Sequence, residues 1–299
     1  MPELPEVETV RRGLAPVMEG ARVARLIQRR PDLRFPLPEK FAERIEGRKI
    51  IRLGRRAKYL VTDIEGGDTL VMHLGMSGRF SIARPQAGGD QVGANQIGDY
   101  VHDAGGIGAH DHVVFHMSSG VTITYNDARR FGFMLLITTA ELQSHALFRD
   151  IGIEPLGPEL TAAHLAARAL GRRTDLKAFL LDQRNLAGMG NIYVSEALHR
   201  ARLNPKKSAS SLASRSGKPT PYAIRLVPEI KAVLEAAIQA GGSTISDHRQ
   251  ADGNLGYFQH SFAVYGRDGE PCPRPGCTGV VKRIVQSGRS TFFCPKCQL

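Results

Sequence analysis

Nowhere does the sequence hold an apolar run approaching the roughly 20 residues needed to cross a bilayer. Its first residues also lack the basic-then-apolar layout of a secretory signal. A membrane-embedded or exported protein is therefore not expected, and the cytosol is the expected compartment. Cysteine is missing from the first 271 residues: the four present, Cys272, Cys277, Cys294 and Cys297, all fall within the last 28. No disulfide framework can run through such a chain. Acids are in short supply, with 29 Asp+Glu against 40 Lys+Arg, a net +11 over 299 residues. That excess is the electrostatic footprint of a polyanion binder, because each phosphate neutralised releases condensed counterions. Internal repeats are absent too. What remains, 42% hydrophobic and 23% charged, is ordinary for a globular protein with room for buried cores.

Residues 1 to about 135 read as a helix followed by strands. Pro5 suits a first helical position, Glu6 and Glu8 favour the positive helix end, and Val7, Val10 and Leu14 recur at helical spacing. Gly13 is expected to loosen the last turn. Short apolar runs broken by turn residues follow: VARLIQRR, KIIRLGRRAKYLVTDI, TLVMHLGMSGRFSI, HVVFHMSSGVTITYND and FGFMLLIT. Several alternate, which predicts an antiparallel sheet layer. The Gly-rich, polar stretch over 84–110 reads as a long surface insertion. The character changes over 136–154. From about 155 to 250 the pattern is helical, in LTAAHLAARAL, TDLKAFLLDQR, NIYVSEALHRARL and LVPEIKAVLEAAIQA, the last stopped by Gly241-Gly242. The expected organisation is a β-rich domain over 1–135, a linker over 136–154, a helical domain over 155–262 and a small metal module over 263–299.

The tail has the pattern C-x4-C, sixteen residues, C-x2-C. Two close thiolate pairs separated by a hairpin's length of chain match a tetrahedral four-cysteine zinc site. Four protein thiolates leave no open coordination position, so the zinc is expected to be structural. GVVKRIV and STFFC read as the two strands, joined by QSGR. Zinc at the open end places the turn about 20 Å away at ~3.3 Å per residue. Arg289 then sits at or beside the exposed tip, with Lys282 and Arg283 on the first strand.

The opening MPELPEVETV suits a helix entrance, but it permits chemistry as well. Methionine is commonly trimmed when proline follows, which would leave Pro2 a free secondary amine. An α-amino group has a reference pKa of about 7.7–8.0 against about 10.4 for lysine, so much more of it is nucleophilic near neutral pH. Glu3 next to it is placed for general acid/base work if burial raises its pKa.

The fragments MPELPEVETVRRGL, GRRAKYL, HLGMSG, HDHV, DARRFG, GMGNIYVSEAL, ADGNLGYF, VYGRDGEPC and GRSTFFCPKCQ, in that order, resemble the formamidopyrimidine-DNA glycosylase family over nearly the whole chain. The resemblance implies an α+β multidomain fold: an N-terminal β-sandwich with an N-terminal helix, a helix-two-turn-helix domain and a C-terminal four-cysteine zinc-finger hairpin. It implies excision of oxidised purines (formamidopyrimidines and 8-oxoguanine) from damaged double-stranded DNA, with cleavage of the abasic site by β,δ-elimination. On the family pattern Pro2 is the nucleophile, Glu3 the proton donor, Lys58 the lysine of β-elimination and Arg289 the arginine of δ-elimination. Met76, Arg129 and Phe131 map to the wedge that fills the gap left by an everted base; Arg130 is the neighbouring alternative to Arg129. His110 maps to a DNA contact. Asn191 caps its helix, faces a phosphate, or does both, and Arg172, or else Arg173, supplies a further basic contact. ADGNLGYFQHSF corresponds to the loop that closes over the extruded base. One structural zinc ion and a monomer acting in the bacterial cytosol complete the expectation. The x4 spacing of the first cysteine pair departs from the x2 of many relatives. Two alternatives stay open: an endonuclease VIII-type glycosylase for oxidised pyrimidines, disfavoured by Leu4 where that type has glycine, and a non-enzymatic zinc-ribbon DNA binder.

Overall fold

A computed structural model describes residues 1–85, 108–243 and 257–299. Most of the Gly-rich insertion, and residues 251–256 of the expected base-covering loop, lie outside the described residues. The chain divides into two units, Met1–Arg149 with Ala240–Tyr257, and Asp150–Gln239 with Phe258–Leu299.

The first unit opens with helix α1 (Leu4–Met18), whose N-cap is Glu3. Pro5 takes the second helical position rather than the first, still within the turn whose N–H groups have no helical partner. The helix runs through Gly13 to Met18, past the expected loosening. The buried stripe explains this: Val7, Val10, Leu14 and Met18 are all almost fully buried, about 2 kcal/mol of burial for each, which outweighs one glycine. Glu19 and Gly20, the latter at φ +79°, end it.

Among the described residues eight strands follow: β1 (Val23–Gln28), β2 (Ile50–Arg56), β3 (Tyr59–Ile64), β4 (Asp68–His73), β5 (Arg79–Ala83), β6 (Asp111–Met117), β7 (Thr122–Asn126) and β8 (Phe133–Thr138), with a short helix α2 (Phe41–Ile45) between β1 and β2. They form two antiparallel sheets, ordered β1-β6-β7-β5 and β2-β3-β4-β8. Leu26, Phe80, Phe115, Ile123 and Tyr125 of the first share one core with Leu53, Leu60, Leu70, Met72 and Met134 of the second. Two sheets around one apolar layer make the expected sandwich.

In the second unit, α3 (Ala162–Ala169) is capped by Thr161, which accepts the His164 N–H at 3.0 Å, and α4 (Leu176–Leu181) by Asp175, which accepts from Ala178 N at 2.7 Å. Helix α5 spans Asn191–Arg200 and α6 spans Pro221–Gln239. The start of α6 precedes the expected LVPEI run, because Pro221 fits a first helical position and Ala223, Leu226 and Ile230 carry the buried stripe back to it. The unit closes with a hairpin, β9 (Lys282–Gln286) and β10 (Arg289–Phe293). Among the described residues no helix is long and apolar enough to cross a membrane.

One buried carboxylate ties α5 to the segment entering the tail. Glu196, with no solvent exposure, accepts main-chain N–H groups of Ala263, Val264 and Tyr265 at 2.9–3.0 Å. Glu196→Gln sets an amide N–H₂ against at least one of those donors. A loss of about 3 kcal/mol is expected, read as a lower urea midpoint of the zinc-loaded protein; an unchanged midpoint contradicts the role.

Candidate functional site

Pro2 and Glu3, which follow an exposed Met1, are both buried at the head of α1. The Glu6 carboxylate fixes them there. It accepts the Glu3 main-chain N–H at 2.8 Å and, across 237 residues of sequence, the Ser243 N–H and hydroxyl at 2.9 Å each. Glu8 bonds Arg11, Arg12 and, on β2, Arg55, so α1 is also held by the strand that leads to Lys58. Its carboxyl lies below the usual range: those arginines outweigh the burial that would raise it.

Lys58 stands in the two-residue turn between β2 and β3, where Arg56 pairs with Tyr59 and Ala57 takes a left-handed φ of +53°. It is buried at 8% exposure, which excludes a solvated strand lysine. Its charge is felt by His73, whose ring is stacked 5.2 Å from Phe133 and tilted against Tyr59. The His73 Nδ1 accepts the Gly75 N–H at 3.1 Å. Burial first, then Lys58 and Arg34, push His73 down to about 4.

Met76 and Phe131 are exposed at 40% and 43%, although their residue types usually pack in cores. Arg129 is exposed and lays its guanidinium 4.8 Å from the Phe131 ring centroid. Arg130 turns elsewhere, toward Asp32 at 3.9 Å. Arg129 is thus the arginine that joins Phe131. His110 is exposed in the turn before β6, and its carbonyl accepts the Asp127 N–H at 3.0 Å.

In the second unit, Arg172 and Arg173 are both exposed and line one cavity of about 550 Å³, which Arg168 and Arg184 also edge. Asn191 is the first residue of α5, with Gly190 as the N-cap. The capping alternative therefore falls. Its side-chain N–H₂ donates instead to the Ser290 carbonyl at 2.9 Å, and its buried Oδ1 has no partner among the described residues. Lys177, 1% exposed, donates to the same carbonyl at 2.8 Å and to the Thr291 hydroxyl at 2.6 Å. Sequence inspection passed over Lys177; a lysine on the apolar face of an amphipathic helix was the available signal. Both side chains hold the chain next to Arg289, which is exposed as the first residue of β10. Ser287 and Gly288, at φ +49° and +72°, form the turn, and two positive φ values give the twist a tight hairpin requires.

Cys272, Cys277, Cys294 and Cys297 put their sulfurs within 4.8 Å of one another. The Cys272–Cys297 and Cys277–Cys294 separations are 3.8 and 3.7 Å, far beyond a disulfide bond and close to the edge of about 3.75 Å for a tetrahedron with 2.3 Å zinc–sulfur bonds. Burial, reinforced by the neighbouring sulfurs, pushes Cys297 up to about 12, so a cation is needed to gather four thiolates here. His199 Nε2 lies 3.3 Å from the Cys272 sulfur and supports it from α5.

A basic chain with an antiparallel sandwich, short helices and a four-thiolate hairpin is a zinc-bearing protein of the nucleic-acid-processing class. Family models place it further: the formamidopyrimidine-DNA glycosylase N-terminal domain matches residues 1–134, the formamidopyrimidine-DNA glycosylase H2TH domain 151–249, and a zinc finger found in FPG and IleRS 269–299. Formamidopyrimidine-DNA glycosylases of Beijerinckia indica and Azorhizobium caulinodans are 60% and 58% identical, each covering all of both chains. The MutM (Fpg) protein from Thermus thermophilus superposes with TM-score 0.79 at 38% identity, covering 99% of this chain and 98% of that one. Lactococcus lactis Fpg in complex with abasic-site DNA gives 0.80 at 31%, covering 99% of each. The chain belongs to the formamidopyrimidine-DNA glycosylase family. Its four cysteines hold one structural zinc ion.

Two outcomes follow from this geometry. Cys294→Ser is expected to drop bound zinc well below one per chain, measured by atomic emission, and to weaken DNA binding; unchanged zinc and affinity would contradict the assignment. His73 contributes stability that is whole above pH ~6.5 and lost as pH falls toward its folded value, in all about 2–3 kcal/mol. His73→Asn, which keeps an acceptor for Gly75, is expected to flatten the fall in unfolding midpoint between pH 6.5 and 4.5.

Proposed function

We propose that this protein is a base-excision repair enzyme that releases formamidopyrimidines and 8-oxoguanine from duplex DNA and then cuts the abasic strand, acting as a monomer in the bacterial cytosol. Support comes from full-length likeness to glycosylases of that name and from a buried Pro2-Glu3 pair held at a fixed helix entrance.

The reading needs Met1 removed, because the Pro2 nitrogen is otherwise an amide with no basic lone pair. Once freed, the secondary amine bonds to the sugar C1′ as the C1′–base bond breaks. The base leaves with the shared electron pair, and the proton that the nitrogen sheds on bonding to C1′ offsets the one the base takes up. Glu3, adjacent in sequence, donates the proton that opens the sugar ring, and the Pro2 nitrogen becomes an iminium. That cation acidifies the neighbouring C2′–H, so loss of this proton expels the 3′ phosphate, and a second elimination expels the 5′ phosphate. Lys58 is the residue assigned to the first elimination. Arg289, exposed on its hairpin, is suited to take a departing phosphate on two N–H groups. Met76, Arg129 and Phe131 enter the stack vacated by the everted nucleotide, while His110, Asn191 and Arg172 meet the backbone.

Retaining Met1 tests the core of this reading. With a lesion duplex and borohydride, the trimmed protein is expected to form a covalent adduct on Pro2, and the Met1-retaining form to lose base release, nicking and trapping together, by a factor of ~1000 or more in rate. Full activity with Met1 in place, or an adduct on another residue, would reject it.

A further inference from the structure

Asp127 has no catalytic assignment, yet four of the residues proposed to meet DNA are fastened to it. It follows β7, is fully buried, and is not part of either sheet. Its Oδ1 accepts the Ser77 hydroxyl at 2.6 Å, and Ser77 adjoins Met76. Its Oδ2 accepts the Gly132 N–H at 2.8 Å, next to Phe131, and the Tyr125 hydroxyl at 3.2 Å. The Ser77 oxygen in turn accepts the Arg129 N–H at 3.0 Å. The main chain of Asp127 completes the set: its N–H donates to the His110 carbonyl at 3.0 Å, and its carbonyl accepts from Arg130 N at 3.2 Å and His112 Nε2 at 2.9 Å.

The two loops meet without slack. A Cβ on Gly75 would lie 2.3 Å from the Phe131 carbonyl carbon and the Gly132 nitrogen, and one on Gly132 would lie 1.9 Å from the Tyr125 hydroxyl. Loops 74–78 and 127–132 therefore share one carboxylate and have a single mutual arrangement. Met76, Arg129 and Phe131 are exposed, with Arg129 laid over the Phe131 ring, so the course of the two loops sets where all three stand. A carboxylate is the group for this task. Every partner it meets is a donor, and a buried anion with one bond missing is costly, so the clamp is either whole or strongly disfavoured.

We propose that Asp127 is a positioning residue that joins the Met76 loop to the Arg129–Phe131 loop, so that the wedge stands preassembled before DNA arrives. The inference rests on the reading of Met76, Arg129 and Phe131 as that wedge. Preassembly matters most where an intact partner base must be held after its mate is extruded, because ordering the loops at that moment would add to the energy of unstacking.

The test uses zinc-loaded full-length Asp127→Asn, which keeps the shape but turns at least one accepting oxygen into a donor. Ser77→Ala is the milder second variant, and Met76→Ala and Phe131→Ala report on the wedge itself. Single-turnover release of 8-oxoguanine is measured on two duplexes, one with cytosine opposite the lesion and one with an abasic gap there, alongside 2-aminopurine fluorescence beside the lesion. Asp127→Asn and Ser77→Ala are expected to slow eversion and release on the paired duplex, the former by roughly tenfold or more, and to approach the parent on the gapped one. Equal loss on both duplexes marks a merely structural residue and overturns the proposal, as does no loss on either. If the alanine wedge variants show the pairing-dependent loss while Asp127→Asn and Ser77→Ala do not, the clamp is wrong and the wedge stands. If the wedge variants lose nothing, the wedge reading fails, and the positioning role falls with it. Should Asp127→Asn not fold, Ser77→Ala carries the comparison alone, with the same two outcomes.

Discussion

A carboxylate sealed from solvent and met by several hydrogen-bond donors is the interaction on which this structure depends. Glu6, Asp127 and Glu196 each occupy such a place, at 2%, 0% and 0% exposure. Each has a donor remote in sequence: Glu6 the Ser243 N–H, Asp127 the Ser77 hydroxyl while its other oxygen accepts the nearby Gly132 N–H, and Glu196 three main-chain N–H groups in a row after Phe262. An anion withdrawn from water costs several kcal/mol unless its lone pairs are met, so these groups hold their loops in one arrangement or destabilise the protein. Apolar packing cannot do this work, because contact between methyl groups tolerates sliding whereas a fork of charge-assisted hydrogen bonds does not. Met76, Arg129 and Phe131 stand on loops bonded to one such anion, Asp127, or to the Ser77 hydroxyl it holds.

The tail shows the same division between holding and touching. Zinc gathers the open end of the β9–β10 hairpin, and two side chains from the helices, Lys177 and Asn191, hold the other end by converging on the Ser290 carbonyl. A two-residue turn with both φ values positive leaves little freedom between those points. Arg289 thus gains a fixed base while its own side chain stays exposed.

Much of this was legible in the chain alone, where local chemistry decides the outcome. Cysteine spacing defines the metal, Val7, Val10 and Leu14 define the first helix, and alternation defines strands such as β6 and β7. Ends were harder, because burial of residues beyond the pattern overrides a single breaker: Gly13 does not stop α1, and Pro221 starts α6 ahead of its apolar run. Lys58 resembled any lysine of a basic strand, since its burial follows from a turn at Ala57-Lys58 that only the pairing of Arg56 with Tyr59 creates. Asn191 read as a cap because asparagine favours that position, but Gly190 takes it. Asp127 carried no signal at all. An acid before two arginines suggests a surface ion pair, and its actual partners lie up to 50 residues away.

The pairing of Glu6 with Ser243 has a consequence for how the chain comes into being. During synthesis the helix that carries Pro2 emerges first, but the residue that latches its carboxylate is translated 237 positions later. At ~5–20 residues per second that is a delay of roughly 12–47 s. Through that interval Glu6 has no Ser243 to bind, so the head of α1 is held only by partners already made, and its buried anchor closes as one of the last contacts of the unit to form.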